Sequence, residues 1–148
     1  MAFIDSLIRK KKLTRAQHLV QLNAALAARE KSSQESSVAR RQYADVSRFL
    51  WTQIDASGAL SVQVLAAARR AEAHAREQLS RLDEMHQREC RNVARLESQI
   101  ARLDKNLEKL EERRAEQLQE SRQLDAAAEA DCLDEWVLGR RHGAGESA

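Results

Sequence analysis

No proline interrupts the 148 residues, and glycine occurs only four times. Proline ends helices because it removes an amide donor and crowds the preceding turn. Without it, nothing in the composition forbids helices of unusual length. Aromatic residues make up 3% of the chain. A compact domain carries more aromatic bulk and more turn residues than this, so a large globular core, with the pocket most enzymes need, is not expected. No stretch approaches the roughly 18 apolar residues of a membrane span. The opening residues carry charge at Asp5 and Arg9 where a signal peptide would need an apolar run, so none is expected. There are only two cysteines, Cys90 and Cys132, 42 positions apart. On one continuous helix that is about 60 Å, too far for a disulfide within the chain. Free thiols, as in an intracellular protein, are the simplest expectation.

What the chain has instead is charge, at 32%, and strong helix formers, with Ala, Arg, Glu, Leu and Gln abundant. Such a charge fraction is also compatible with disorder. The order of the apolar residues argues against that. Leu79 and Leu82 are followed by a gap. Then Val93, Leu96, Ile100, Leu103, Leu107 and Leu110 recur in steps of three, four, three, four and three. This is the a/d alternation of a coiled coil. A coiled coil acts by reach and contact, and the chain is expected to be non-enzymatic.

The clearest break is Asp55-Ala56-Ser57-Gly58-Ala59-Leu60-Ser61. Gly58 can adopt a left-handed conformation, and Asp55, Ser57 and Ser61 can cap helix ends. The expected fold is all-α: a long antiparallel two-helix coiled-coil hairpin with an overhanging C-terminal helix. The first helix covers about 3–55, the turn 56–60 and the second helix about 61–138. Gly139, Gly143 and Gly145 would end it, leaving a flexible tail over 139–148. The whole would be a single elongated unit, a rod of about 80 Å.

Folding about Gly58 places residue i near residue 116 − i. The strong seam Val93–Leu110 then faces Leu7, Leu13, Leu19 and Leu22, with Ile8 and Val20 beside them. The polar seam positions His86 and Glu89 face about 27–30, where Arg29, Glu30 and then Ser32, Ser33, Ser36 and Ser37 make the first helix polar as well. This paired polar stretch is a candidate soft point. Nearer the turn, Tyr43, Val46, Leu50 and Ile54 meet Leu65, Ala68 and Ala75. Beyond about residue 113 the first helix is exhausted and the seam changes to Arg114, Gln117 and Ser121. The overhang still carries Leu118, Leu124, Cys132, Leu133, Trp136 and Val137. An isolated helix of that length is marginal in water, so these side chains call for a partner, either another protein or a second copy.

Net charge is unevenly spread. Residues 1–58 hold 10 Lys/Arg and 5 Asp/Glu, while residues 59–148 hold 15 and 18. Opposite balances favour pairing between the arms and disfavour a pure polyanion binder. The run Arg9-Lys10-Lys11-Lys12 lacks interleaved aromatics. It suits pairing with Asp104 and Glu108 opposite, or an acidic protein partner, better than nucleic acid. His86 and Cys90, spaced i, i+4, supply at most half a zinc site. No nucleophile–base signature, phosphate loop or carboxylate pocket is evident, and no cofactor or metal is expected. Tyr43, Phe49 and Trp51 cluster toward the turn, and Trp136 sits in the overhang. Aromatic residues of this kind anchor interfaces or cover the hairpin seam.

The hairpin with a longer second helix, the turn Ser57-Gly58-Ala59-Leu60-Ser61 and the stretch Asp134-Glu135-Trp136-Val137-Leu138-Gly139-Arg140-Arg141 together resemble the stalk proteins of type III secretion systems. These are the FliJ family of flagella and the YscO (SctO) family of injectisomes, the latter serving virulence. The resemblance implies a cytoplasmic central stalk at the base of the secretion apparatus. It would link a hexameric secretion ATPase to the cytoplasmic domain of the export gate, promote ATPase assembly and activity, and in some members bind secretion chaperones. It implies an ATPase-binding end at Arg9, Lys10, Lys11, Lys12, Leu124, Leu133, Trp136, Arg140 and Arg141. It implies a gate-binding end at Tyr43, Phe49, Leu50 and Trp51. A self-associating coiled-coil scaffold and a chaperone-binding adaptor are the alternatives.

Overall fold

The computed structural model describes residues 1–57 and 61–146. They form two helices, α1 (Ala2–Ser57) and α2 (Val62–Glu146), packed antiparallel as an all-α two-helix hairpin. The expected turn at Gly58, Ala59 and Leu60 lies outside the described residues. The entry to α2 is visible. Ser61 Oγ accepts from the Val64 amide at 3.2 Å, and its carbonyl accepts from the Leu65 amide at 3.2 Å. Ser61 is therefore the N-cap expected from its residue type. Asp55 is no cap, since α1 runs past it to Ser57.

At the other end the glycines do not stop α2. The helix continues through Gly139, Gly143 and Gly145 to Glu146, so residues 139–146 are helical and not a flexible tail. Glycine taxes a helix by about 1 kcal/mol but leaves its amide–carbonyl ladder intact. Without a proline or a competing cap, the ladder carries on.

The chain divides into two units. One comprises Met1–Arg15 with Arg102–Ala148, the other Ala16–Ala101. In the first unit Ile4, Ile8 and Leu107 are buried together, with Leu110 packed against them. Asp5 accepts from Arg114 at 2.7 Å, Lys12 pairs with Glu111 at 3.5 Å, and Arg15 donates to Asp104 at 2.5 Å. In the second unit Ala25, Val93 and Leu96 form the core, flanked by Leu22 and Leu26. Val93, at 1% exposure, is the most deeply buried side chain described.

The register differs from the expected one. Residue numbers sum to 119 for Asp5–Arg114 and Arg15–Asp104 in the first unit and for Ser36–Asp83 in the second, not to 116. A shift of three residues is close to one helical turn, so it changes partners more than faces. The inward face of α1 also differs from the expected one. The inward positions are Ile4, Ile8, Lys11 and Arg15 in the first unit, then His18, Leu22, Ala25, Arg29, Ser32 and Ser36 in the second. Leu13 and Val20, expected on or beside the seam, are 62% and 70% exposed. The pairing with Asp104 falls to Arg15 and that with Glu111 to Lys12; Glu108 is in neither.

Candidate functional site

α2 has a long uncovered stretch within the first unit. From Leu118 to Gly145 every side chain is exposed, including Leu124 at 71%, Leu133 at 62%, Trp136 at 60% and Leu138 at 54%. In this register Met1 lies opposite residue 118, and no described residue of α1 faces the stretch beyond it. The last contacts of α1 are those of Ile4 and Asp5. Gln117, at the next inward position, has a buried Oε1 with no hydrogen-bond partner.

Within the overhang, Trp136 is held by its own helix. The Arg140 guanidinium carbon lies 4.8 Å from the centroid of the Trp136 ring. This i, i+4 cation–π contact restrains an exposed aromatic at little further entropic cost. Trp136, Val137, Arg140, Arg141 and Ala144 surround a shallow, almost wholly apolar hollow. An apolar floor rimmed by two guanidinium groups is suited to a protein surface carrying an apolar residue and a carboxylate.

The residues expected to bind an ATPase are not one patch. Arg9, Lys10 and Lys12 are exposed on α1, and Lys11 is half-buried at an inward position. Lys12 is paired with Glu111. From Glu111 to Trp136 is 25 residues of helix, about 37 Å, so the basic run and the Trp136 hollow are separate features of this unit. Leu124, Leu133, Trp136, Arg140 and Arg141 all lie on the overhang.

In the second unit the four expected gate residues divide by face. Phe49 and Trp51 are exposed, at 63% and 47%, while Tyr43 and Leu50 are half-buried. Leu50 and Ile54 share a hollow with Ala68, and Tyr43 and Val46 one with Ala75, as the sequence suggested; Val64, and not the expected Leu65, lines the first of these. Tyr43 Oη donates to Glu72 Oε1 at 3.4 Å and accepts from Arg76 Nη2 at 3.2 Å, while Ser47 Oγ donates to the same Glu72 oxygen at 3.3 Å. The hydrogen bond to Tyr43 raises the Arg76 guanidinium above its ordinary value, and its field and that of Glu72 add to the effect. Tyr43 is thus occupied in a cross-helix contact, and Phe49 and Trp51 are the side chains offered outward.

Between these aromatics and the Val93 core lies the polar layer. Ser36 donates to Asp83, which also accepts from Arg40 at 3.4 Å. Ser32 meets His86 Nδ1 at 3.0 Å, three residues from the Arg29 expected opposite it. Alongside, Val38, Ala39, Leu82 and Met85 floor an open groove of about 750 Å³ edged by Lys31, Glu35 and Arg81. Reasoning from the sequence missed this groove and the roles of Glu72, Arg76 and Asp83. Glu72 had a signal, since it is a polar residue in phase with Ala75, Leu79 and Leu82 on α2, whereas Asp83 had none. The groove had none.

No group of three or more His, Cys, Asp or Glu side chains is gathered to hold a metal among the described residues. No described helix is long and apolar enough to cross a membrane. Compared with known proteins, the chain matches no family model, no curated protein and no solved structure.

Proposed function

We propose that this protein is a non-enzymatic central stalk of a type III secretion apparatus, joining a hexameric secretion ATPase to the export gate and promoting ATP hydrolysis and protein export. The reading is supported chiefly by the overhang of α2, an exposed helix with apolar side chains that no described part of the chain covers. An uncovered helix bearing Leu124, Leu133 and an Arg140-restrained Trp136 needs a socket, and the pore of a protein ring is one. Over residues 118–138 there are six Asp/Glu and one Lys/Arg, so the socket would be apolar with basic residues around it. Phe49 and Trp51, exposed in the other unit, are the anchors offered to the export gate.

The test is ATP hydrolysis by the cognate secretion ATPase, with the full chain and with a version ending at Gln117. Stimulation by the full chain and not by the shortened one is the expected result. If neither stimulates and light scattering reports a stable dimer lost on truncation, the overhang pairs with a second copy and the protein is a scaffold. A third outcome, binding of a secretion chaperone to Phe49 and Trp51 with no effect on hydrolysis, would make it an adaptor.

A further inference from the structure

The overhang of α2 carries a second seam. Ala126, Ala130, Leu133, Val137, Arg140 and Ala144 recur in steps of four, three, four, three and four, which keeps them on one stripe of the helix. They are two positions out of phase with Leu103, Leu107 and Leu110, which turns them nearly to the opposite side. All six are exposed, Leu133 at 62% and Val137 at 42%. Charge divides along the same stretch. Residues 125–135 hold five Asp/Glu and no Lys/Arg, and Arg140 and Arg141 follow. Two copies laid parallel would set acid on acid and guanidinium on guanidinium. Laid antiparallel, the acidic stretch of each meets the guanidinium pair of the other. The antiparallel registers that set this seam on itself differ by one heptad, and the charges choose among them. Where opposite residue numbers sum to 270, Leu133 meets the second copy's Val137, Ala126 meets its Ala144, and Glu129 faces its Arg141 with Arg140 alongside. Where they sum to 263, Glu129 faces Asp134 and Arg141 faces Arg122; where they sum to 277, Val137 faces Arg140.

We propose that two copies of this chain pair antiparallel through their overhangs, in the first of these registers. The hollow bounded by Trp136, Val137, Arg140, Arg141 and Ala144 then takes Leu133 and Glu129 of the second copy, an apolar side chain and a carboxylate one helical turn apart. Arg140 meets Ala130, whose small side chain leaves room for the methylene stem while the guanidinium reaches outward. Each copy supplies both hollow and knob, so the contact is isologous, closes at two copies and does not propagate. The overlap from Ala126 to Ala144 is about 28 Å long. Four of its six seam positions are alanine or arginine, so the pair is weak enough for another protein to displace it. The pairing does not depend on the stalk reading. Where that reading also holds, the secretion ATPase and the second copy compete for Leu133 and Trp136, and the free chain keeps its overhang covered until the ring takes it.

The test is sedimentation velocity of the full chain, reduced and without any ATPase, from about 1 to about 500 µM, the range in which so small a seam should associate. A monomer–dimer equilibrium loosened by added salt is expected. Glu129→Arg and Arg141→Glu should each weaken it by about 10-fold, and the chain with both should regain most of the loss, because the charges are exchanged and not removed. Cross-linking reads the direction. In chains with Cys90→Ser and Cys132→Ser, mixing Leu133→Cys with Val137→Cys and oxidising mildly should give the mixed disulfide in excess of a random mixture, since a parallel pair would favour the two homodimers. A chain that stays monomeric throughout, a dimer unmoved by Glu129→Arg, a double variant no better than the singles, or disulfides that are random or richer in homodimers would overturn the proposal.

Discussion

Arg114 Nε donates to Asp5 Oδ1 at 2.7 Å, and this pair is the last ionic contact between α1 and α2 before the overhang. Both side chains are substantially in water, at 52% and 33% exposure. Exposed pairs of this kind are worth about 0.5 kcal/mol and are screened by salt. The neighbouring Ile8 and Leu107 are each under a tenth exposed. Asp5→Asn should therefore shift the urea unfolding midpoint only slightly, and not at all in high salt, whereas Ile8→Ala should cost about 2 kcal/mol or more. Circular dichroism unfolding curves of the two variants decide this. A larger loss from Asp5→Asn would mean that charge, and not the apolar seam, closes this end.

Register yields a second prediction. Val93 is buried and Val20 is 70% exposed, although an expectation built on a turn centred at Gly58 placed Val20 beside the seam. Val93→Ala removes two buried methyl groups and should destabilise by about 2 kcal/mol. Val20→Ala should stay within about 0.5 kcal/mol of the unsubstituted protein. Equal losses at both sites would put Val20 against α2 and reject the observed inward face of α1.

The contrast between these two valines shows what could be read from the sequence. On α2 the seam positions could be named in advance, because Leu79, Leu82 and the run from Val93 to Leu110 are apolar and in phase. His86 and Glu89 could be placed on it by counting. On α1 the inward positions Lys11, Arg15, His18, Arg29, Ser32 and Ser36 are polar, while Leu13 and Val20 point to water. Hydropathy therefore marked the face only in part: Ile8 is buried and Leu7, Leu19 and Leu22 are half-buried, but Leu13 and Val20 are not covered. Two helices can tolerate this because an inward Lys or Arg lays its methylene stem along the seam and takes its charge outward, as Arg15 does on Asp104. The uncovered state of Trp136 was legible from the unequal arms. Its clamp by Arg140 required the i, i+4 geometry, and the outward turn of Phe49 and Trp51 against the inward turn of Tyr43 required the register.

The Ser36–Asp83 contact supports a third prediction. Ser36 is 5% exposed and donates to Asp83. Asp83→Ala would leave a buried hydroxyl without its cross-helix acceptor and should cost about 1–2 kcal/mol. Combining Ser36→Ala with Asp83→Leu removes both polar partners and extends the seam already begun by Leu79 and Leu82. That double variant should be at least as stable as the unsubstituted protein. Thermal unfolding of Ser36→Ala, Asp83→Leu and their combination gives the coupling directly. Strict additivity would show that the two side chains do not interact.

The final turns of α2 are the place where local propensity and observed structure pull apart most. Gly139, Gly143 and Gly145 lie in a helix that continues to Glu146, and a Cβ built on any of the three meets nothing within 4 Å. None of them is there to let another backbone approach within the chain, so alanine fits sterically at each position. Each replacement should favour the helix by about 1 kcal/mol, because alanine surrenders less backbone entropy and loses no contact. The gain should be local. The buried contacts nearest to these glycines sit at Ile4, Ile8 and Leu107, more than 30 positions before Gly139 along α2 for the last of them, so the main unfolding midpoint should not move. Amide hydrogen exchange separates the two effects. In the triple variant the amides around Trp136 and Arg140 should exchange more slowly while those around Leu107 are unchanged. If the amides around Trp136 exchange no more slowly, the glycines are not what limits helix formation there, and the missing partner of the overhang is.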